Sequence, residues 1–304
     1  MGKETSSEIV RPYSAKAWFL AARPKTLSGA AVPVMIGISM AYADCSDDNP
    51  FSWFPAILCF LFAFIMQIDA NFINDYFDFL NGNDDETRLG PKRACAMGWI
   101  RPDAMRRAIY TTTAIACLTG LPLILYGGWE MVLVGILCVT FCFLYTTHLS
   151  YLGLGDILVL LFFGVIPVCI PYYLETHRMG LNVLLASVAC GMVIDTLLVV
   201  NNYRDIENDR KNDKMTLIVR VGTKGGRLLY LFLGIAACIL GAVHICDNRP
   251  LAFFLPLIYL VIHFFTYLHM VKVDHGRALN KILGETARNM FFYGLLVAIG
   301  ILLS

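Results

Sequence analysis

The chain has 304 residues, of which 58% are hydrophobic and 15% are charged, and its mean hydropathy is +0.64. A water-soluble domain carries about 25% charged residues, so this composition excludes a soluble enzyme, an intrinsically disordered chain and a collagen-like fibre. The formal net charge of +1 excludes a protein that binds nucleic acid through bulk positive charge.

The N-terminal segment is polar and has no apolar core of the kind found in signal peptides, so residues 1–16 are predicted to form a cytoplasmic tail. Most of the ten cysteines lie inside apolar runs, where cysteine behaves as a small hydrophobic residue. No Cys-x-x-Cys pair occurs. We therefore expect neither a disulfide framework nor a cysteine-bound metal.

Nine apolar stretches follow, each near the length of about 20 residues that a membrane-spanning helix needs. They cover Trp18–Ala43, Phe51–Asn74, Ala108–Tyr126, Met131–Thr147, Ile157–Leu174, Leu181–Asn202, Leu228–Ile245, Leu251–Val271 and Asn289–Leu303. None has the short alternating pattern of a transmembrane β-strand. The sequence predicts an all-α, multi-pass membrane protein in which residues 1–304 form a single domain.

The connecting segments differ in charge. If the N-terminus is cytoplasmic, every lysine and arginine except Arg178 and Arg249 lies on the cytoplasmic side. This distribution follows the positive-inside rule. The two long cytoplasmic loops, 75–107 and 203–227, follow the second and sixth spans, so we expect the chemistry there.

The first polar cluster lies at the end of the second span. Asparagine and aspartate occur at i, i+3, i+4 and i+7, which places them on one face of a helix. These residues are Asn71, Asn74, Asp75 and Asp78. Gly82 is predicted to end the helix and to allow Asp84 to fold back toward the same point.

The second cluster lies at the end of the sixth span. Asn201, Asp205 and Asp209 are spaced i, i+4 and i+8, again on one helical face, and Asn202 and Arg204 lie among them. Facing carboxylates repel each other unless a cation lies between them, and their hard oxygen atoms suit Mg²⁺. Mg²⁺ also takes substrate phosphate as a ligand, so the two clusters together predict a magnesium–diphosphate site. The alternative is that both are solvated acidic helix ends.

Basic residues accompany both clusters and could neutralise a diphosphate leaving group. They are Arg23 and Lys25 before the first span, Arg88, Lys92 and Arg93 after the first cluster, and Lys214 and Arg220 after the second. The alternative is that these cations only enforce the orientation of the chain in the membrane.

These motifs resemble those of the UbiA superfamily of intramembrane prenyltransferases, and most of all its 1,4-dihydroxy-2-naphthoate polyprenyltransferase branch, the membrane enzymes of menaquinone biosynthesis. The similar segments are Ala21–Thr26, Asn74–Asp78 with Gly82 and Asp84, Arg88–Arg93, Gly153–Asp156, Asn201–Asp209, Lys214–Leu217, Arg220–Gly222 and Asn280–Ala287. The position four residues after Asp78 is Gly82 and the next carboxylate is Asp84, a variant that resembles the naphthoate branch.

The resemblance implies nine helices around a central cavity in a bacterial inner membrane, with the N-terminus and the cavity mouth cytoplasmic. It implies Mg²⁺ as the cofactor, and a polyprenyl diphosphate and an aromatic acceptor as substrates. The expected product is demethylmenaquinol, formed with loss of CO₂. The implied metal ligands are Asp75, Asp78, Asp84, Asp205 and Asp209. The implied diphosphate ligands are Arg23, Lys25, Arg88, Lys92, Arg93, Lys214 and Arg220.

Within this expectation, the catalytic residues are Asp78, Asp205, Lys25, Lys214 and Asp156, where Asp156 would orient a hydroxyl of the acceptor. The surrounding substrate or metal shell is Asn71, Asn74, Asn201, Asn202 and Arg204. A UbiA-type enzyme that prenylates 4-hydroxybenzoate, homogentisate or another phenol remains an alternative. An ion-coupled transporter is an alternative of a different class, because such proteins also carry intramembrane acids. Asp69 and Asp195 lie outside the motifs and are functional candidates because they are acids within spans.

Overall fold

The computed structural model describes residues 10–82 and 88–304. In these two ranges, nine helical segments are long and apolar enough to cross a membrane, which confirms the predicted number of spans. They are α1 (Ala15–Asp44), α2 (Trp53–Leu80), α3 (Pro102–Gly127), α4 (Glu130–Leu149), α5 (Gly155–Thr176), α6 (Leu181–Arg204), α7 (Leu217–Cys246), α8 (Pro250–Val273) and α9 (Leu279–Leu303). A short helix, Ile206–Lys211, follows α6.

Several helices are longer than their apolar stretches predicted. The second helix continues through the polar cluster to Leu80, α7 begins at Leu217, and α9 begins at Leu279. Local signals fix some of these ends, since Thr216 caps α7 by accepting a hydrogen bond from the N–H of Val219. The polar turns bury one face against neighbouring helices, so they remain helical outside the apolar span. The loops at the motif end, where α2 and α6 end, are therefore shorter than 75–107 and 203–227.

The core lies where α1, α5, α6 and α9 meet, with α7 and α8 packed around them. Glycines allow two of these helices to approach closely. A Cβ atom added at Gly164 of α5 would lie 2.7 Å from the Cα atom of Gly191 on α6. Small residues at such crossings let helix backbones touch, which is how helices commonly associate in membranes.

Irregular turns interrupt three helices near the motif end. In α7 the break lies at Gly222, which has a φ of 71°. Arg23 adopts a left-handed conformation with φ of 50° and ends the first part of α1 at Ala22. The last turn of α4, Tyr145–Leu149, is π-helical. Such π turns shift the register of a helix and are frequent at functional sites. Here the turn brings Tyr145 and Thr146 to the wall of a cavity.

Candidate active site

A cavity of about 770 Å³ extends into the bundle from the motif end. Its inner walls are apolar and come from α1, α2, α4 and α5, including Pro33, Phe62, Val132, Phe162 and Ile166. Its end between α2 and α6 is polar. Polar and charged residues there are Arg23, Asn74, Asp78, Arg88, Arg93, Asn201, Asn202, Arg204, Asp205, Asp209 and Lys214. The two sequence clusters therefore meet at one cavity.

The first cluster contributes Asn74 and Asp78 to the cavity. Asp78 accepts a hydrogen bond from Nη2 of Arg93 at 2.6 Å. Asn74 accepts one at 2.9 Å from the hydroxyl of Thr146, on the π turn of α4. These two positions are one helical turn apart, so both side chains lie on the same stripe of α2.

The other half of the predicted face does not line the cavity. Asp75 is buried, and its two oxygens accept hydrogen bonds from the backbone N–H groups of Ala94 and Cys95 at 2.8 and 2.9 Å. Asn71 donates to the carbonyl of Ala22 and to Thr26, which joins α2 to α1. The four residues span about 100° of the helix surface. In this structure Asp75 anchors a loop and Asn71 joins two helices. The metal role of Asp75 and the shell role of Asn71 stay predictions.

The second cluster crosses the end of α6. The helix ends at Arg204, and Asp205 lies between it and the short helix that begins at Ile206. The N–H of Asp209 donates to the carbonyl of Asp205 at 2.8 Å, which continues the helical path across the break. Asp205 and Asp209 consequently both line the cavity, as their i, i+4 spacing predicts.

Arg204 forms a bidentate ion pair with Asp205. Its Nε and Nη2 atoms donate to the two carboxylate oxygens at 2.8 and 2.5 Å. Asp209 is 5% exposed, and its Oδ1 lies 3.6 Å from Nζ of Lys214. Burial raises the pKa of Asp209 to about 6, Lys214 opposes that rise, and the neighbouring Asp205 adds to it. The Oδ2 atom of Asp209 is buried and has no hydrogen-bond partner in the described part of the chain.

The predicted basic residues separate into two groups. Arg23, Arg88, Arg93 and Lys214 line the cavity. By contrast, Lys25 and Lys92 have exposed side chains and do not line it. Their diphosphate-binding role, and the catalytic role of Lys25, stay predictions. The left-handed backbone at Arg23 is followed by the 3₁₀ turn Pro24–Thr26, which contains Lys25.

Arg220 also lies outside the cavity lining. Its guanidinium donates to the carbonyls of Leu152 and Met215 at 2.8 and 3.2 Å. Gly153, with φ of +75°, is in contact with the same segment, because an added Cβ would lie 2.4 Å from the Met215 carbonyl oxygen. Arg220 joins two loops in this structure, and its direct diphosphate contact stays a prediction.

Asp156 lies in a small chamber beside the main cavity. The chamber shares Tyr145, Asn202 and Lys214 with the cavity wall. Both carboxylate oxygens of Asp156 are buried without a hydrogen-bond partner among the described residues. Asp195, 4% exposed, lies within electrostatic range of Asp156. The chamber has a volume of only about 10 Å³, so Asp156 lies beside the cavity, and its contact with an acceptor hydroxyl stays a prediction.

Asp69, the other intramembrane acid outside the motifs, forms hydrogen bonds that connect two helices. Its two oxygens accept hydrogen bonds from the hydroxyls of Thr112 and Thr113 on α3, the second at 2.7 Å. These bonds satisfy the carboxyl group and join α2 to α3. Within the described ranges, Asp69 does not line the cavity.

The donor set suits a hard cation that shares its ligands with a substrate. No group of three or more His, Cys, Asp or Glu side chains within 10–82 and 88–304 is arranged to hold a metal alone. Mg²⁺ commonly takes one or two carboxylates together with water and phosphate oxygens. The unpartnered Oδ2 of Asp209 is such an available oxygen. Asp84, a predicted ligand, lies outside the described residues.

Several residues that line the cavity are not among those predicted from the sequence. Tyr145 lines both the main cavity and the side chamber that holds Asp156. Gln67 also lines the cavity, as does Thr146. The polar run that begins at Tyr145, at the end of an apolar span, was the available signal. Its significance depends on the π turn, which spacing alone does not indicate.

Comparison with known proteins gives a consistent result. The model of the UbiA prenyltransferase family matches residues 30–295. The 1,4-dihydroxy-2-naphthoate octaprenyltransferase of Escherichia coli (strain K12) is 34% identical over 235 residues, which cover 74% of this chain and 75% of that protein.

Two solved structures share the fold. The apo structure of a UbiA homolog from Aeropyrum pernix K1 aligns with a TM-score of 0.68 and 16% identity, covering 92% of this chain and 98% of that one. A UbiA homolog from Archaeoglobus fulgidus bound to GPP and Mg²⁺ aligns with a TM-score of 0.65 and 14% identity, covering 93% and 99%.

Proposed function

Because the chain belongs to the UbiA prenyltransferase family and is a multi-pass membrane enzyme that transfers prenyl groups, we propose that its acceptor is 1,4-dihydroxy-2-naphthoate. The enzyme takes a polyprenyl group from an allylic diphosphate, releases CO₂ from the acceptor and forms demethylmenaquinol. The substrate named for the Escherichia coli relative supports this acceptor. The positive-inside distribution supports a cytoplasmic N-terminus and motif end, and the bacterial relatives support the bacterial inner membrane.

The observation that carries this proposal is the polarity of the cavity. One end holds Asp78, Asp205 and Asp209 beside five basic side chains, and the rest is mostly apolar. A polyprenyl diphosphate has the same division, with a charged head and an insoluble tail. An ion-coupled transporter needs no long apolar cavity that ends in cationic side chains, so this geometry favours the enzyme.

The charged end is suited to holding the diphosphate and assisting its departure. Magnesium bound at Asp78, Asp205 and Asp209, with Asp84 as a sequence-based further ligand, would neutralise charge on the departing diphosphate. The relative bound to GPP and Mg²⁺ supports this cofactor. Arg93 and Lys214 already contact carboxylates of the two motifs. They are therefore within reach of a diphosphate bound there, and Arg23 and Arg88 add positive charge on the cavity wall.

The apolar part protects the reactive intermediate. When the C–O bond of the allylic diphosphate breaks, the diphosphate keeps the electron pair and leaves an allylic cation. Walls such as Phe162 and Ile166 exclude water, which would otherwise capture that cation. The chain's contribution at this step is to orient the two substrates and stabilise charge.

The aromatic acceptor then supplies the electrons for the new C–C bond. Asp156 accepts a hydrogen bond from a ring hydroxyl, which makes the ring more electron-rich. Loss of the acceptor carboxylate as CO₂ returns the C–C electron pair to the ring and restores aromaticity. The buried, unpartnered oxygens of Asp156 support this role.

The test uses the purified full-length protein in liposomes with Mg²⁺ and farnesyl or geranylgeranyl diphosphate. 1,4-Dihydroxy-2-naphthoate, 4-hydroxybenzoate and homogentisate compete as acceptors, and diphosphate and CO₂ are followed together. We expect prenylated naphthoquinol with one CO₂ for each diphosphate, and loss of both in Asp78→Ala and Asp209→Ala. Turnover of another phenol alone would overturn the acceptor. Absence of diphosphate release with every acceptor would overturn the reaction.

A further inference from the structure

Asn280, in the first turn of α9, connects two parts of the active site that are distant in sequence. Its Oδ1 accepts a hydrogen bond from Nη1 of Arg204 at 2.8 Å. Its Nδ2 donates to the carbonyl of Leu89 at 2.8 Å. Asn280 thus contacts the second motif on one side and, on the other, the loop that carries Arg88 and Arg93.

Arg204 is held by several protein partners on its side of this connection. Besides Asp205 and Asn280, it donates through Nη2 to Oδ1 of Asn201 at 2.9 Å. Its side chain is 2% exposed. Four of the five N–H bonds of a guanidinium are used in this way. Arg204 is therefore fixed in orientation, and it fixes the carboxylate of Asp205 in turn.

The loop on the other side is held at both ends. Its beginning lies against Arg204, because a Cβ added at Gly90 would be 3.0 Å from Nη2 and 3.4 Å from Cζ of that residue. Its end reaches the first motif, where Arg93 pairs with Asp78 and the next two backbone N–H groups bind Asp75. A continuous path of contacts runs from Asp205 through Asn280 to Asp78.

We propose that Asn280 is a positioning residue that holds the loop 88–93 against Arg204 and thereby sets the two aspartate motifs at the separation that binds magnesium–diphosphate. This inference rests on the proposed function. Residues that orient metal ligands from outside change metal affinity or activity by about 10–100-fold when they are replaced. Asn280 acts through Arg204 and through the loop backbone, so its substitution affects both motifs together.

The first test measures binding without turnover. Full-length Asn280→Ala in detergent is titrated with inorganic diphosphate in the presence of Mg²⁺, by isothermal calorimetry. We expect about tenfold weaker binding than in the wild type. Arg204→Lys, which loses the bidentate geometry, should weaken it at least as much. The double variant should bind no more weakly than Arg204→Lys alone, because both changes interrupt one path. Lys281→Ala, an exposed neighbour, is the matched control and should bind normally.

A second readout follows the loop itself. Hydrogen–deuterium exchange of peptides covering 88–101 should be faster in Asn280→Ala and unchanged in Lys281→Ala. Asn280→Asp keeps an acceptor for Arg204 and loses the donor to Leu89. It should therefore show the same faster loop exchange as Asn280→Ala and bind magnesium–diphosphate more weakly than the wild type. Gly90→Ala, which pushes the loop away from Arg204, should also show faster loop exchange and weaker binding of magnesium–diphosphate. These two variants decide the question if Asn280→Ala does not fold.

The outcomes separate the two proposals. A wild-type protein that does not bind magnesium–diphosphate would contradict the proposed function. A wild-type protein that binds it, with all three variants at positions 280 and 90 equal to wild type in binding and exchange, would overturn the role of Asn280 alone. Faster loop exchange with normal binding would also overturn it, since the loop would then have no influence on the separation of the motifs.

Discussion

Carboxylates at the two ends of the bundle have different surroundings. At the end opposite the motifs, Asp44 accepts hydrogen bonds from Arg249 at 2.5 Å and from the hydroxyl of Tyr172 at 2.6 Å. These contacts join α1 to α5 and to the start of α8. At the motif end, Asp78 and Asp209 also have cationic partners, but they line a cavity. Buried carboxylate oxygens without a hydrogen-bond partner among the described residues occur at both ends, in Asp209 and in Glu175. Pairing alone does not distinguish a structural carboxylate from a functional one.

What distinguishes them is the space beside the pair. Glu175, at the end opposite the motifs, accepts a hydrogen bond from the N–H of Ser52 at 2.9 Å, and its carbonyl accepts one from Asn49. Both contacts fix the connection between α1 and α2. A substitution there should change stability, whereas one in the cavity should change chemistry.

The largest effect is expected for the metal-binding carboxylates. Asp78→Asn and Asp209→Asn keep side-chain size and remove the charge that a cation needs. We expect prenyl transfer to fall by about 10²–10³-fold, the size seen when one electrostatic contact to developing charge is removed. Diphosphate release in liposomes measures this, with thermal melting in detergent as the control. Near-normal turnover in both variants would show that the cavity carboxylates resemble those at the other end.

Asp156→Asn should have a smaller and more selective effect. We expect kcat/KM for the aromatic acceptor to fall by about tenfold to hundredfold while KM for the prenyl diphosphate is unchanged. Asp69→Asn is the matched intramembrane control, because Asp69 bonds to Thr112 and Thr113 away from the cavity. Equal values of kcat/KM for the acceptor in the two variants would show that Asp156 does not contact the acceptor.

Arg23 and Lys25 allow a comparison within one turn. Arg23→Gln should weaken the binding of magnesium–diphosphate by about tenfold, since a charge-assisted hydrogen bond contributes roughly 1.5–3 kcal/mol. Lys25→Gln should change it by less than about twofold, as is usual for an exposed charge. Calorimetric titration of both variants checks this. A larger loss of affinity in Lys25→Gln than in Arg23→Gln would favour the predicted diphosphate-binding role of Lys25.

The sequence predicted the nine spans because a run of about 20 consecutive apolar residues is typical of a helix that crosses a bilayer. It did not predict that α7 begins at Leu217 or α9 at Leu279. The first turn of α7 is separated from the apolar span by Gly222, whose φ of 71° breaks the helix. The first turn of α9 contains polar residues and packs through the buried Leu279 and Ile282. A run of apolar residues therefore indicates which part of a helix lies in the bilayer, but not where the helix begins or ends.

The site was predictable to the level of helical faces. The spacing predicted that Asp78, Asp205 and Asp209 face one site, and all three line the cavity. It could not separate Asp78 from Asp75, because both lie within one broad face and the loop that binds Asp75 folds from a distant segment. Tyr145 was not predicted from the sequence, because a π turn and not regular helical spacing brings it to the cavity.

The smallest effect on prenyl transfer is expected at the end opposite the motifs. Asp44→Asn weakens the contact with Arg249, whose side chain is 11% exposed, and leaves a largely buried cation without its counter-charge. We expect the free energy of unfolding to fall by about 1–3 kcal/mol, seen as a lower melting temperature in detergent. Activity per folded molecule should equal that of the wild type. Arg249→Met separates charge from packing, because it keeps most of the apolar stem. If either variant lost turnover while remaining folded, the carboxylates at this end would also be coupled to the cavity, and the distinction drawn from the space beside each pair would fail.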